Sequence, residues 1–237
     1  MNIAILGFGK MGKGILSIIG KNHSVQFIVD PNETKAIKKV LSFKAIEDVS
    51  KKLLDKVDVF IEFTEPKQAK NNILSIIKIK KKAKIISGTT GWDIKGLENE
   101  VKKKGAVVLY GSNFSFGIKA LSSALDVLSR SIFRTKDFEA SILEHHHKHK
   151  KDSPSGTANM LADIMDKNGF ACSITSVRAG SHPGMHTIYF DSEYETIEIT
   201  HEIKDRKVFC SGVLLASEWI IKQKKAGIYK FSDIIPN

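Results

Sequence analysis

Cysteine is almost missing from this chain: 237 residues contain two, Cys172 and Cys210. Neither sits in a CxxC or metal-ligand spacing, so no thiol redox chemistry or cysteine zinc site is expected from them, and both are expected as buried thiols. Arginine is nearly as scarce. Of 37 basic side chains only Arg130, Arg134, Arg178 and Arg206 are arginine, and the lysines are spread along nearly the whole length. Readers of nucleic acid favour guanidinium forks and carry recognisable modules, none of which is present. The net charge of +11 therefore reads as a lysine-biased surface, and the densest run, residues 78–84, as a solvated helix end. No nucleic-acid partner is expected. Also missing are an apolar run near the roughly 18 to 20 residues of a membrane span and a charged leader with a cleavage site. A cytoplasmic protein without membrane partners is the expectation.

What is present starts at the first residue. Met1-Asn2-Ile3-Ala4-Ile5-Leu6 is an apolar run suited to a buried parallel strand, and Gly7-Phe8-Gly9-Lys10-Met11-Gly12 follows it into a helical pattern. That is GxGxxG between strand and helix, the context that makes it a dinucleotide fingerprint. Gly7 permits the tight turn, Gly9 lets the backbone approach a pyrophosphate, and Gly12 lets helix and strand pack closely. A second apolar run ends in Asp30, placed to accept hydrogen bonds from the adenosine ribose. Pro31 stands where an arginine would favour a 2′-phosphate, so NADH is mildly preferred over NADPH, with Lys35 keeping NADPH open. Further strand ends at Phe63-Thr64, at Gly88-Thr89-Thr90 and at Gly111-Ser112-Asn113-Phe114 repeat the same topology. Ligands bind beyond the carboxyl ends of such strands, which makes these residues candidates for the nicotinamide side.

The second half carries different chemistry. A strand over residues 138–144 delivers Glu144-His145-His146-His147-Lys148-His149-Lys150-Lys151. Four imidazoles and three ammonium groups repel one another unless an anion is meant to sit among them, which points to a small anionic ligand that exchanges protons there. The lysines disfavour a metal cation, so no metal is expected. Asp152 or Ser153 is expected to cap the next helix with Pro154 in its first turn, leaving the amides of Ser155, Gly156 and Thr157 as a carboxylate cradle. Beyond Gly169, residues 172–177, 186–190, 195–201 and 207–211 alternate as strands of an open antiparallel or mixed sheet, and residues 213–221 read as a helix returning to the first domain. The expected architecture is thus α/β: a Rossmann-type dinucleotide-binding domain over residues 1–113 and 212–237, and an α+β domain with an open mixed sheet over 114–211 for substrate binding and oligomerisation.

The stretch from Glu144 to Lys150 with Asp152-Ser153-Pro154-Ser155-Gly156-Thr157-Ala158 closely resembles the signature of the 4-hydroxy-tetrahydrodipicolinate (dihydrodipicolinate) reductase family of the diaminopimelate route to lysine. Gly9-Lys10-Met11-Gly12, Phe63-Thr64, Gly88-Thr89-Thr90-Gly91, Asn113-Phe114-Ser115, Arg178-Ala179-Gly180 and Ile199-Thr200-His201 fall in the family's order. The resemblance implies an NAD(P)H-dependent reduction of a cyclic dicarboxylate with loss of water. It also implies that His146 is the acid/base residue, that Lys150 is the proton donor, and that His147, Gly156 and Thr157 bind substrate in a homotetramer. Departures are modest: a glycine loop one residue shorter, His145 for a small or apolar residue, Lys148 for arginine, and Ser153 for alanine. The rival reading is another Rossmann amino-acid dehydrogenase, such as an aspartate dehydrogenase, which would share the first half but lack the histidine-lysine constellation.

Overall fold

Short apolar runs that end in glycine turns and feed amphipathic helices become, in the computed structural model, a parallel sheet; the structure describes residues 1–32, 40–135 and 137–234. Lys35 lies outside the described residues. The chain divides into two compact units, Met1–Phe114 with Phe209–Asn237, and Ser115–Val208.

The first unit runs β1 (Asn2–Leu6), α1 (Lys10–Ile18), β2 (Ser24–Val29), β3 (Leu41–Phe43), α2 (Lys51–Asp55), β4 (Val59–Glu62), α3 (Pro66–Ile79), β5 (Lys84–Ser87), α4 (Glu98–Lys103) and β6 (Val107–Tyr110). All pairings are parallel, in the order β11-β6-β5-β4-β1-β2-β3, where β11 is the late strand Gly227–Lys230. Strands buried on both faces need apolar residues at nearly every position, and residues 3–6 of β1 and 59–61 of β4 supply them. Ala4, Leu6 and Phe60 face one core with Ile73, Ile76 and Ile77 of α3. Ile3, Ile5, Val59 and Ile61 face the other with Ile15 of α1. Full burial of such a side chain contributes about 1.5 to 3 kcal/mol. Strand order reverses between β1 and β4, so their carboxyl ends, at Leu6 and Glu62, define the crevice where ligands bind in such sheets.

The second unit holds α5 (Phe116–Ile132), β7 (Glu139–His146), α6 (Gly156–Lys167), β8 (Cys172–Arg178), β9 (Met185–Asp191) and β10 (Thr196–Glu202). Its four strands lie in the order β10-β9-β7-β8, with β7 and β8 parallel and the other pairs antiparallel. The sheet is therefore mixed. Leu125 of α5 and Leu161 and Met165 of α6 pack on Ala140, Ile142, Ile188 and Phe190 of the sheet.

Two expectations about elements fail. Residues 207–211 are not a strand but the opening of α7 (Lys207–Ile220). Val213, Ala216 and Ile220 complete the core beside α1, and tertiary burial overrides the local alternation of residues 207–211. The helix comes so close that a Cβ on Gly212 would sit 1.7 Å from the carbonyl oxygen of Phe114. The edge strands β3 and β11 were not anticipated, because three or four residues bounded by charge carry too short a period to register.

Candidate functional site

In the first unit the glycine loop behaves as its spacing requires. Gly7 has φ +89°, and a Cβ there would lie 2.1 Å from the carbonyl oxygen of Phe63. A Cβ on Gly12 would lie 2.3 Å from the Gly7 carbonyl oxygen, whereas one on Gly9 would meet nothing within 4 Å. Gly7 and Gly12 are thus demanded by packing, whereas the side of Gly9 is open within the chain. Gly9 is also the N-cap of α1, which has no side-chain cap and no acid in its first turn. That helix start, with its amides and positive dipole end, fits a pyrophosphate.

Asp30 stands at the end of β2, its two oxygens accepting from the amides of Phe8 at 2.7 Å and Asn32 at 2.9 Å. A carboxylate offers about four acceptor sites, so it ties down the loop with capacity left for hydroxyls. A cavity of about 570 Å³ is lined by Gly7, Gly9, Asp30, Pro31, Phe63 and Thr64, and also by Lys44, Glu47, Gln68 and Asn72. The last four carried no sequence signal. Phe8 turns into the core with the Lys13 ammonium 5.6 Å from its ring centre, while Lys10 is exposed and Met11 half-buried.

At the ends of β4 and β5 the organiser is Glu62, fully buried. It accepts from the Thr64 amide and hydroxyl, from Ser87 Oγ and from Thr89 Oγ1. Asn72 Nδ2 donates to Thr64 Oγ1. Every proton of these hydroxyls is committed to Glu62, and Thr89 Oγ1 accepts in turn from the Thr64 amide at 2.9 Å. A Cβ on Gly88 would strike the Phe63 ring at 2.1 Å, and that ring contacts Phe114 at 5.7 Å between centres. Thr90 is exposed. Gly111 and Phe114 are buried beyond β6, with Ser112 exposed and Asn113 half-buried beside them.

In the second unit β7 delivers the cluster with alternating faces. Glu144 and His146 point inward and are buried; His145 points the other way, and His147 follows the strand's end, half-buried. His145 stacks on His182 at 4.9 Å. His147 Nε2 accepts from Arg206 Nη2 at 2.8 Å, since arginine only donates. Lys150 Nζ lies 2.8 and 2.9 Å from the two oxygens of Asp152.

Glu144 is the hub. Its Oε1 accepts from the Ser155 amide at 2.9 Å, Ser176 Oγ at 2.7 Å and Arg178 Nη2 at 2.6 Å. Its Oε2 faces His146 Nδ1 at 3.3 Å and His186 Nε2 at 3.6 Å. Burial alone would raise its pKa, but the donors of Ser155, Ser176 and Arg178 outweigh it and hold the carboxyl down at about 2. His146 is pushed down to about 4 by burial, against the pull of Glu144 and with Lys150 and Arg178 adding to the fall. His186 is also lowered to about 4, by burial and then by His146. Both imidazoles are neutral near pH 7. Glu144, His146 and His186 lie close enough together to share an ion, but the Arg178 guanidinium on the same carboxylate opposes a cation there.

The helix start differs from expectation. Neither Asp152 nor Ser153 caps it, and Pro154 lies before it. Ser155 is the N-cap of α6, its Oγ accepting from the Ala158 amide. Glu144 accepts from the Ser155 amide, and the helix starts two or three residues later than the Asp-Ser-Pro spacing suggests. The cradle is therefore narrower than three amides. Asp152 is held below the usual carboxylate range by Lys150, with the Gly156 amide contributing. A Cβ on Gly156 would meet nothing within 4 Å, so the backbone is open there, and Thr157 is half-buried beside it.

A nucleotide-binding parallel sheet with a separate mixed-sheet unit carrying buried histidines and a lysine defines a nicotinamide-dependent oxidoreductase. Residues 1–114 match the N-terminal family of dihydrodipicolinate reductase and residues 117–235 the C-terminal one. Among curated proteins, the 4-hydroxy-tetrahydrodipicolinate reductase of Thermosipho africanus is 35% identical, covering 99% of this chain and 98% of its own length. That of Christiangramia forsetii is 33% identical with the same coverage. The solved structure of dipicolinate-bound dihydrodipicolinate reductase from Paenisporosarcina sp. TG-14 superposes with a TM-score of 0.82 over 99% of both chains at 21% identity, a likeness of fold. The chain belongs to the dihydrodipicolinate reductase family, whose members are NAD(P)H-dependent oxidoreductases. The rival reading as an aspartate dehydrogenase is set aside by these matches.

Proposed function

We propose that the protein reduces 4-hydroxy-tetrahydrodipicolinate to tetrahydrodipicolinate, with loss of water, in lysine biosynthesis through diaminopimelate. The observation that carries this reading is the single arrangement of Glu144, His146, Lys150 and the start of α6. It combines a neutral buried imidazole, a protonated ammonium and helix amides, which a cyclic dicarboxylate that loses a hydroxyl requires. Gly156 and Thr157 seat one carboxylate at the helix start, displacing Asp152, and His147 meets the ring or its second carboxylate. Lys150 supplies the proton that leaves with the hydroxyl. His146, neutral near pH 7, exchanges the second proton. The nicotinamide supplies hydride.

The chain's own part toward that cofactor rests on residues of the first unit. Gly7, Phe8, Gly9, Lys10, Met11 and Gly12 form the turn and helix start for the pyrophosphate, and Asp30 takes the adenosine ribose. Phe63, Gly88, Thr89 and Thr90, with Gly111, Ser112, Asn113 and Phe114, border the nicotinamide. NADH is mildly preferred, since Asp30 with Pro31 favours free ribose hydroxyls; Lys44 in the same cavity gives a 2′-phosphate a partner and keeps NADPH a substrate. We infer a homotetramer built through the second unit, whose β8 and β10 expose alternate residues that a neighbouring copy would cover, and a cytoplasmic location, where reduced nicotinamides are maintained. The test is oxidation of NADH and NADPH with enzymatically generated 4-hydroxy-tetrahydrodipicolinate. Saturable oxidation is expected, and none with either cofactor would overturn the reading.

A further inference from the structure

We propose that Glu144 is a positioning residue that fixes the tautomer of His146, with Nδ1–H turned to the carboxylate and Nε2 presented to the space beside Gly184. The inference deepens the proposed function, since it rests on His146 being the group that exchanges protons. An ionised carboxylate only accepts, and Oε2 stands 3.3 Å from Nδ1, an ion-pair contact rather than an aligned hydrogen bond, with neither atom holding a hydrogen-bond partner among the described residues. The opposite tautomer would set two lone pairs against each other at that distance inside the protein, where such contacts are costly.

The carboxylate cannot turn away. Its other oxygen is held by the Ser155 amide, Ser176 Oγ and Arg178 Nη2, donors from the start of α6 and from β8. Glu144 therefore links the ring's orientation to the helix start that seats the substrate's carboxylate. On the far side of the ring, a Cβ added to Gly184 would lie 3.0 Å from Nε2. Glycine keeps that side open to a reacting atom.

Other charged groups act on the same ring. Lys150, Arg178 and Asp152 contribute to its protonation balance, and the His186 ring lies edge-on at 5.1 Å between centres. Among them Glu144 is the one anion in contact with Nδ1, and it favours the protonated imidazole. Removing its charge must therefore shift His146 further toward the neutral form.

The test has two arms. In the first, the histidine tautomers of the unsubstituted protein are read by 15N NMR, with the His146 signals assigned by their loss in His146→Gln. The expected result is a protonated Nδ1 and a bare Nε2, and a protonated Nε2 would overturn the proposal. In the second, Glu144→Gln is expected to lower kcat at least about tenfold, to move the limb of the pH profile governed by His146 to lower pH, and to leave the KM for reduced cofactor unchanged. An unmoved profile would overturn the proposal. Should Glu144→Gln fail to fold, the first arm still decides. The first arm needs no turnover, so an inactive protein with the expected tautomer would refute the assigned reaction and leave the positioning role standing.

Discussion

Among the described residues each unit buries one carboxylate completely at or near the end of a central strand, Glu62 on β4 and Glu144 on β7. Their surroundings differ in kind. Among the described residues Glu62 is met only by neutral donors, three hydroxyls and an amide. Glu144 is met by a guanidinium, a hydroxyl and an amide on one oxygen and by two imidazoles on the other. A carboxylate surrounded by hydroxyls orders loops, because every proton is committed. A carboxylate that shares an oxygen with two titratable rings also sets where protons reside. Burial of an acid in a strand thus marks an organiser in both units, and the chemistry of its partners says of what.

The sharpest break between the two regions comes from the second. His146→Gln and Lys150→Ala are each expected to cut turnover by about 10² to 10⁴, with cofactor affinity measured by fluorescence titration nearly unchanged; normal turnover in either variant would remove it from the proton chemistry. Next in size is Glu62→Ala. It strands Thr64, Ser87 and Thr89 without their acceptor and should destabilise the fold by about 2 to 4 kcal/mol, seen as a lower Tm and a weaker grip on the cofactor. An unaltered Tm would show that the network is incidental.

The second unit should also be the one that feels acid. His146 and His186 are held near pKa 4 when folded, below the ordinary histidine value of about 6.5. Their contribution to stability is fully present above that value and is lost as pH falls toward about 4, since the unfolded chain then binds protons that the folded one refuses. Glu144, at about 2, adds a further loss below about pH 4.5. Denaturant midpoints should therefore fall between pH 6.5 and 4, and the fall should be reduced in His186→Gln; a flat midpoint across that range would contradict the assigned burial of the rings.

The smallest contrast lies within one loop. Gly7→Ala, strained at φ +89° and set against the Phe63 carbonyl, should cost about 2 kcal/mol or more, while Gly9→Ala should change stability by under about 1 kcal/mol. Equal losses on thermal melting would mean that Gly9 is structural too.

What could be read from the chain was local. Gly7, Gly9 and Gly12 are close in sequence and act on neighbouring backbone, and the run from Glu144 to Lys150 declares its charge. What escaped reading was the set of partners brought from afar. Glu144 meets Ser155, Ser176, Arg178 and His186 at separations of 11 to 42 residues, and no spacing rule links them. The displaced cap, Ser155, is one of that hub's partners. Lys44 reaches the nucleotide cavity only because β3 pairs with β2. Glu62 did leave a signal: a lone acid inside the apolar run from Val59 to Phe63 must be buried on both faces, and a buried acid needs donors.

The division of labour between the two units is tested most directly by steady-state constants for both substrates in Gly9→Ala and Thr157→Val. The expected result is a double dissociation: Gly9→Ala raises the KM for reduced cofactor and leaves that for the dicarboxylate, while Thr157→Val does the reverse. A Thr157→Val protein with an unchanged dicarboxylate KM, or a Gly9→Ala protein with an unchanged cofactor KM, would contradict the account.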